Sequence, residues 1–142
     1  MVQMKLRVFS YTIVILMIGM TSLGAAYGQP VIGVVPDTLN FGNVPIQQFL
    51  QDTILVLNRG TDTLVIRGVE TSCGCTSATP QSSKIVFMGT AVVRVSVNIV
   101  GKRGMFTQWI HLNTNDPKTP VVEIPVIANI VDSDSLGNKP TH

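Results

Sequence analysis

The stretch Ala91-Val92-Val93-Arg94-Val95-Ser96-Val97-Asn98-Ile99 decides the fold of this chain. Apolar residues occupy positions 93, 95, 97 and 99, and polar residues occupy the positions between them. A period of two is the spacing of a β-strand, whose successive side chains point to opposite faces of a sheet. The stretch therefore predicts a strand with one face in a core and the other in water.

The same alternation recurs along the chain, with turn sequences between the apolar runs, and no window shows the apolar stripe of a helix. The candidate strands are 32–35, 38–42, 49–57, 63–70, 84–87, 91–99, 105–113 and 120–130. Short strands at such regular spacing are typical of a sandwich. We predict an all-β fold, an immunoglobulin-like antiparallel β-sandwich of about seven to eight strands.

Two local sequences add detail to this prediction. Pro125 lies inside the last strand pattern, and since proline has no N–H to donate, we expect this strand to lie at a sheet edge or to carry a bulge there. Gly101-Lys102-Arg103-Gly104 lies between two strand patterns and is typical of a hairpin turn rather than of a phosphate-binding loop.

Residues 1–28 have the pattern of a secretory signal peptide. Lys5 and Arg7 precede an apolar stretch, and Ala26-Tyr27-Gly28 matches a small-residue cleavage site. We therefore expect an exported chain that starts at Gln29 and resides in the periplasm or at the cell surface of a bacterium. An uncleaved membrane anchor is the alternative, because no charged residue follows Arg7 within this segment.

The rest of the chain is predicted to form one immunoglobulin-like domain over 29–131, followed by a polar, disordered tail over 132–142. Of the ten basic residues, Lys5 and Arg7 lie in the leader, which leaves eight basic and eight acidic residues without charge runs. This balance provides no electrostatic reason to bind nucleic acid or an anionic membrane. After cleavage of the leader we expect neither as a partner.

A set of short motifs in a fixed order resembles a known family. They are Phe41-Gly42-Asn43-Val44, Asn58-Arg59-Gly60, Leu64-Val65-Ile66 with Val69, Ser72-Cys73-Gly74-Cys75-Thr76, Gly104-Met105-Phe106 and Thr114-Asn115-Asp116. The chain resembles a bacterial family of secreted domains of unknown function marked by the Ser-Cys-Gly-Cys-Thr signature. That family is related to the immunoglobulin-like domains of Hydin and of major sperm protein, which implies a seven-stranded sandwich and no agreed activity. Met88-Gly89 stands where the family usually has Pro-Gly.

Cys73 and Cys75 are the only cysteines, and Gly74 separates them. In a regular strand their side chains would lie too far apart for the Cβ spacing of about 3.8 Å that a disulfide needs. We expect Gly74 to adopt backbone angles closed to other residues and so to bring the thiols together. A bridge closing so small a ring would be easy to reduce and would add little stability. Semi-buried thiols or a local bridge that shapes a corner are the structural interpretation.

Two chemical interpretations of the same cysteines stay open. Two thiolates suit Cu(I), a soft ion, with His111 and the sulfurs of Met88 and Met105 as candidate further ligands. His111 also fits an ordinary exposed strand histidine, because it alternates with apolar neighbours.

Thiol exchange is the other chemical interpretation. It needs a neighbouring cation that favours the thiolate, and Arg67 and Lys84 are the candidates. No Cys-x-x-Cys motif opens a helix, so a redox enzyme of the usual kind is not predicted.

Enzymatic function has little support in this sequence. There is no nucleophile-elbow motif, and the carboxylates are isolated rather than paired. Trp109 is the one large aromatic candidate for a binding patch. We predict an exported, non-enzymatic immunoglobulin-like module that needs no cofactor and binds an unknown protein or envelope component. The alternative is a Cu(I)-binding or thiol-redox domain centred on Cys73 and Cys75.

Overall fold

The computed structural model describes residues 28–46 and 49–132. These residues form nine strands: β1 (Ile32–Val35), β2 (Leu39–Pro45), β3 (Phe49–Asn58), β4 (Leu64–Thr71), β5 (Thr76–Pro80), β6 (Lys84–Ile85), β7 (Thr90–Asn98), β8 (Gly104–Thr114) and β9 (Val121–Val131). No helix of membrane-spanning length and apolarity occurs in this part of the chain. The predicted signal peptide and tail lie outside the described residues, apart from Gly28 and Asp132.

The strands form two sheets, a four-stranded sheet in the order β1-β3-β7-β5 and a five-stranded sheet in the order β2-β9-β8-β4-β6. The predicted all-β immunoglobulin-like sandwich is confirmed, with nine strands rather than seven or eight. All strand pairs are antiparallel except β2 with β9, which run parallel. The chain can place β2 beside β9 in this way because the two strands are far apart in sequence and need no tight turn between them.

Alternating side chains from both sheets fill the space between them. In β7 and directly after it, the residues at 93, 95, 97 and 99 are at most 2% exposed, whereas Arg94 and Asn98 are exposed, as the period of two predicts. The facing sheet contributes the buried residues Leu64, Ile66, Ile110, Leu112, Ile124, Val126 and Ala128. The core is therefore continuous from one sheet to the other.

The sequence pattern did not predict β5, and it extended β6 by two residues. In β5 only Thr76 is buried and Ala78 is half-buried, because the strand lies at a sheet edge and pairs with β7 alone. A strand of this kind has no apolar alternation to detect. In the segment 84–87, Val86 and Phe87 belong to an exposed turn rather than to a strand.

The two local predictions have different outcomes. β9 is an interior strand, so the expected position at a sheet edge is wrong, although its pairing with β2 begins only at Val126, one residue after Pro125. No bulge is present in its register with β8. The turn at 101–104 exists, with positive φ at both of its glycines, but the hairpin prediction is wrong. This turn joins β7 and β8, which belong to different sheets.

Candidate functional site

Ser72–Thr76, which we call the cysteine corner, carries the chain from one sheet to the other. β4 belongs to the five-stranded sheet and ends at Thr71, and β5 of the four-stranded sheet begins at Thr76. Cys73 and Cys75 form a disulfide with their Cα atoms 5.3 Å apart. Both residues are half-buried, and Cys75 packs against the core. The cysteines therefore lie close together at the sheet-to-sheet crossover.

Hydrogen bonds within a few residues close this corner. The hydroxyl of Thr71 lies 3.0 Å from the carbonyl oxygens of Cys73 and Thr76 and donates to them. The N–H of Cys75 donates to Cys73 Sγ at 3.2 Å. The N–H of Asn98 donates to the Cys75 carbonyl at 2.7 Å, which fixes the corner to the end of β7.

Gly74 does not behave as the sequence predicted. Its φ is not in the left-handed region, which among the described glycines is found at residues 42, 101 and 104. An added Cβ on Gly74 would meet no atom within 4 Å. The expectation that this glycine adopts angles closed to other residues is wrong, because the corner is closed by the hydrogen bonds of Thr71 and by the backbone.

Ser72 connects the cysteine corner to β8. Its N–H donates to the Trp109 carbonyl at 3.0 Å, and its hydroxyl accepts from the Trp109 N–H at 2.9 Å. The same hydroxyl donates to Oε1 of Gln108 at 2.6 Å. The corner is therefore attached to the backbone of Trp109.

Trp109 lies on the outer face of the five-stranded sheet. Its side chain is 42% exposed, and Pro125 is its cross-strand neighbour on β9. Met105, on the same face of β8, is 73% exposed, and Ile127 on β9 is half-buried. We call the surface formed by these four residues the Trp109 face. It adjoins the cysteine corner through Ser72.

His111 is separated from the cysteines. Its cross-strand neighbours are Glu70 on β4 and Glu123 on β9, and its Nδ1 lies 3.5 Å from Glu123 Oε1. In the described residues, no three His, Cys, Asp or Glu side chains are grouped to hold a metal ion. The structure therefore does not bring His111 together with Cys73 and Cys75. The other candidate ligands are also apart in the fold, since Met88 lies in the β6–β7 turn and Met105 lies on β8.

A second cluster of motif residues lies where β3 and β8 end. Asn58 and Asp116 are each 2% exposed, and Asn115 is half-buried. We call these three residues the Asn–Asp pole. The Asn58 amide donates to the carbonyl oxygens of Asp62 at 2.7 Å and Ile85 at 2.9 Å, and its Oδ1 accepts from the Gly60 N–H.

The other two members of the pole bond to backbone in the same way. The Asn115 side chain accepts from the Val65 N–H at 2.7 Å and donates to the Thr63 carbonyl at 3.0 Å. The carboxylate of Asp116 accepts from the N–H groups of Ile32, Lys118 and Thr119. No buried side-chain nitrogen or oxygen among the described residues lacks a partner.

Asp116 is ionised in the fold despite its burial. Burial alone raises the pKa of this carboxyl group, but the three backbone N–H donors and the nearby charge of Lys118 lower it further than burial raises it. The net effect is a pKa below the ordinary value. In the sequence, Asn58, Asn115 and Asp116 are recognisable only as motif residues. Their role in bonding the loops together could not be predicted, because their partners lie as far as 84 residues away.

Comparisons with known proteins support the fold and define the family. No relative is found among curated protein sequences. A protein of unknown function from Porphyromonas gingivalis W83 is similar in structure, with a TM-score of 0.64 and 23% identity, over 70% of this chain and 46% of that one. The PapD-like domain 7 of human CEP192 has a TM-score of 0.58 and 10% identity, over 74% of this chain and 88% of that one.

The VesB protease of Vibrio cholerae matches with a TM-score of 0.55 and 12% identity, over 72% of this chain and 31% of that one. The chain thus spans less than half of the Porphyromonas protein and about a third of VesB. At these identities the likeness concerns the fold alone. The family model of the HYDIN/CFA65/VesB-like Ig-like domain matches residues 30–129, which is well over half of the chain. The chain therefore belongs to the HYDIN/CFA65/VesB-like Ig-like domain family.

Proposed function

We propose that this protein is an exported, non-enzymatic binding module of the bacterial cell envelope, and that it binds a protein partner through the Trp109 face. The Ig-like fold is that of a binding or structural module. The observation that carries the proposal is the exposure of Trp109 and Met105 on the same outer face of β8, with Thr107 between them. Exposed aromatic and methionine side chains are the groups that protein interfaces favour.

The attachment of this face to the cysteine corner supports the same proposal. Ser72 forms hydrogen bonds with both the N–H and the carbonyl group of Trp109, so the corner holds this part of β8 in place. A rigid support reduces the entropy that a partner must remove on binding. The disulfide then acts as scaffold for the binding surface.

A non-enzymatic role is supported by the placement of the reactive side chains. His111 interacts with Glu123 on the sheet face, and the one strongly buried carboxylate, Asp116, is occupied by three backbone donors. A general base needs a free acceptor within reach of a substrate. The carboxylate of Asp116 offers none, and the cross-strand neighbours of His111 are Glu70 and Glu123 rather than a hydroxyl or thiol nucleophile.

The experiment is site-specific photocrosslinking in the native bacterium, with the crosslinker placed at Thr107, which is exposed on the same face of β8 as Met105 and Trp109. We expect one dominant crosslinked protein, which is lost on Trp109→Ser and retained on Phe87→Ser, a control on the exposed β6–β7 turn. Trp109→Ser should leave the melting temperature within a few degrees of wild type. Retention of the same crosslink in Trp109→Ser would disprove the role of this face.

Export is tested separately. The N-terminus of protein recovered from the periplasm or cell surface should lie at or within a few residues of Gln29. Recovery of the full-length chain in the inner membrane would favour the anchor alternative instead. This test leaves the binding proposal intact, because the Trp109 face lies in the mature part under either outcome.

One observation favours a second function, thiol exchange. The Cys75 N–H that donates to Cys73 Sγ would stabilise a Cys73 thiolate after reduction. In such a reaction a partner thiolate attacks one sulfur of the bridge, a mixed disulfide forms, and the other cysteine leaves as a thiolate. Alkylation of the reduced protein with iodoacetamide at neutral pH should then modify Cys73 faster than Cys75. Equal and slow modification would remove this candidate.

A further inference from the structure

A groove lies on the outer surface of the four-stranded sheet, on the opposite side of the sandwich from the Trp109 face. Its volume is about 550 Å³, which falls in the range of small-ligand sites. We call it the polar groove, because all but one of its lining residues are polar. They are Gln51, Asp52, Thr53, Ser77, Thr79, Arg94, Val95 and Ser96.

The strand register arranges the groove in rows across the sheet. Arg94 on β7 has Thr53 on β3 and Thr79 on β5 as its cross-strand neighbours. Ser96 has Gln51 and Ser77 as its neighbours one row further along. Neighbouring strands lie about 4.8 Å apart and alternate residues about 6.8 Å apart. Hydroxyl, amide and guanidinium groups therefore repeat across the groove, so one extended ligand can contact several of them at once.

These groups are available to a ligand. Among the described residues, Arg94 makes no ion pair, and neither its guanidinium group nor the hydroxyls of Thr53, Thr79 and Ser96 form a hydrogen bond within the protein. The Ser77 hydroxyl makes a single long bond, 3.5 Å, to the Ser96 carbonyl. Arg94 thus presents unused donors in the planar geometry that suits a carboxylate.

The edges of this sheet argue against a peptide as the occupant. A peptide usually adds to a sheet as an extra strand that pairs with free backbone groups. β1 pairs only with residues 55–58 of β3, so residues 49–54 of β3 form an open edge, where the N–H of Thr53 donates to Asp52 Oδ1 at 2.7 Å. On the other edge strand, β5, Pro80 has no N–H, and the carbonyl and N–H of Thr76 are occupied by the Thr71 hydroxyl and the Cys73 carbonyl. These interruptions of both edges favour recognition by side chains.

An aromatic side chain completes the surface. Phe49, which is 53% exposed, pairs with Asn98 in the next row beyond Gln51 and Ser96. We propose that the polar groove binds an acidic oligosaccharide, with a carboxylate on Arg94, sugar hydroxyls on the threonine, serine and glutamine side chains, and a sugar ring against Phe49. This inference goes beyond the protein-binding function proposed above, because it concerns a different surface and a different class of ligand.

The test is a titration of the ¹⁵N-labelled protein followed by NMR, with three probes of matched length. They are trigalacturonate, which carries both hydroxyls and carboxylates, neutral maltotriose, and triglutamate, which carries carboxylates without sugar hydroxyls. We expect trigalacturonate to shift the amide signals of Ser77, Thr79 and Arg94. It should bind at least about tenfold more tightly than maltotriose, since a charged hydrogen bond contributes about that factor, and more tightly than triglutamate, which offers no sugar hydroxyls to the groove.

Variants on this exposed face separate recognition from folding. Arg94→Gln should weaken trigalacturonate binding about tenfold or more, and Arg94→Lys should do so as well because it loses the planar fork. Asp52→Asn should tighten binding, because it removes a negative charge from the groove. Arg67→Gln, at an exposed arginine of β4, is the matched control and should bind as wild type does. These results do not depend on whether a protein binds the Trp109 face, because the two surfaces lie on opposite sides of the sandwich.

Three results would overturn the proposal. They are the absence of groove signal shifts with trigalacturonate, triglutamate binding as tight as trigalacturonate binding, and an Arg94→Gln variant that binds like the Arg67→Gln control. The first would indicate an ordinary solvated sheet face. The second would assign the groove to acidic peptides, and the third would show that the guanidinium group is not a contact.

Discussion

The Asn–Asp pole and the cysteine corner are both built from motif residues, but their bonds differ in reach. At the pole, buried side chains bond to backbone groups 27, 50 and 84 residues away. At the corner, the bonds of the Thr71 hydroxyl and of Cys73 Sγ span at most five residues, and the longer bonds, which Ser72 and the Cys75 carbonyl make to β8 and β7, lie at a turn that is only half-buried or exposed. Long-range bonds from buried groups hold the loops of the sandwich together. Local bonds at a half-exposed turn shape one surface, so the pole stabilises the fold and the corner serves the site beside it.

Two glycines give the sharpest test of this comparison. Gly60 adjoins the pole, where a Cβ would collide with the backbone of Gln29, Pro30 and Val31, whereas a Cβ on Gly74 would meet nothing. We expect Gly60→Ala to destabilise the fold by about 3 kcal/mol or more, through forced backbone shifts. Gly74→Ala should stay within about 0.5 kcal/mol of wild type. Guanidinium unfolding measures both, and equal losses would contradict the comparison.

Removal of the buried carboxylate should have the next largest effect. Asp116→Ala leaves the N–H groups of Ile32, Lys118 and Thr119 without their acceptor, and we expect a loss of about 3 kcal/mol. Asp62→Ala is the matched control, because the exposed carboxylate of Asp62 accepts only from the adjacent Thr63 N–H, and the substitution keeps the backbone carbonyl that Asn58 bonds. Its loss should be below about 1 kcal/mol in the same denaturation experiment. A larger loss in the control would mean that the long-range bonds of the pole are unimportant.

Asn115 of the pole can be compared with Asn113, which lies two residues earlier in the chain. Asn115→Ala removes two bonds to the backbone of Thr63 and Val65, and we expect a cost of about 2 kcal/mol. Asn113→Ala removes only an exposed bond to Glu70 and should cost less than about 0.5 kcal/mol. The difference in unfolding free energy between these variants measures the value of long-range bonding. Equal losses in the two variants would show that the long-range bonds of Asn115 do not stabilise the fold.

The charge of Asp116 makes the pole sensitive to acid. Because its pKa in the fold lies below the ordinary value of 3.8, its ionised form stabilises the fold at pH values above about 4. This stabilisation is lost as the pH falls through the folded-state pKa. The stability advantage of wild type over Asp116→Asn should therefore be constant from pH 7 to about pH 5 and should shrink below about pH 4. Unfolding curves at several pH values measure this advantage. An advantage of wild type that grows in acid would contradict a lowered pKa of Asp116.

The sequence predicted those parts of the fold in which burial alternates. β7 and β8 alternate because each has one face in the core, and their boundaries came within one residue of those predicted for 91–99 and 105–113. β5 escaped prediction because an edge strand with one buried residue has no such pattern. The hairpin at 101–104 was wrong because a turn sequence does not specify which sheet receives the next strand.

The candidate site was predicted less completely than the fold. The structure shows Cys73 and Cys75 close together and Trp109 on an outer face, but the closeness of the cysteines comes from the bonds of the corner and not from the Gly74 angles that the sequence predicted. The bonds of Ser72 to Trp109 and the rows of the polar groove depend on register between strands that are distant in sequence. Periodicity within a strand carries no information on register, so these features needed the three-dimensional structure.

The smallest effect is expected at the cysteine corner itself. A bridge across one intervening residue restricts the unfolded chain very little, so its removal should cost almost no loop-closure entropy. Cys75 packs against the core, and its change to serine introduces a hydroxyl at a half-buried position. We expect Cys73→Ser combined with Cys75→Ser to lower the unfolding free energy by about 1 kcal/mol or less, equally in oxidising and reducing buffer.

The same variant decides whether the corner holds a metal. An ion bound only by the folded protein raises the melting temperature by mass action, and a variant without thiols must lose that increase. The described residues bring no third ligand to the two cysteines, so we expect neither Cu(I) nor Zn(II) to stabilise the reduced wild-type protein. Thermal unfolding with each ion, in wild type and in the double serine variant, measures this. A metal-dependent increase that disappears in the double variant would make the corner a metal site, and its half-exposed position would then serve chemistry rather than scaffolding.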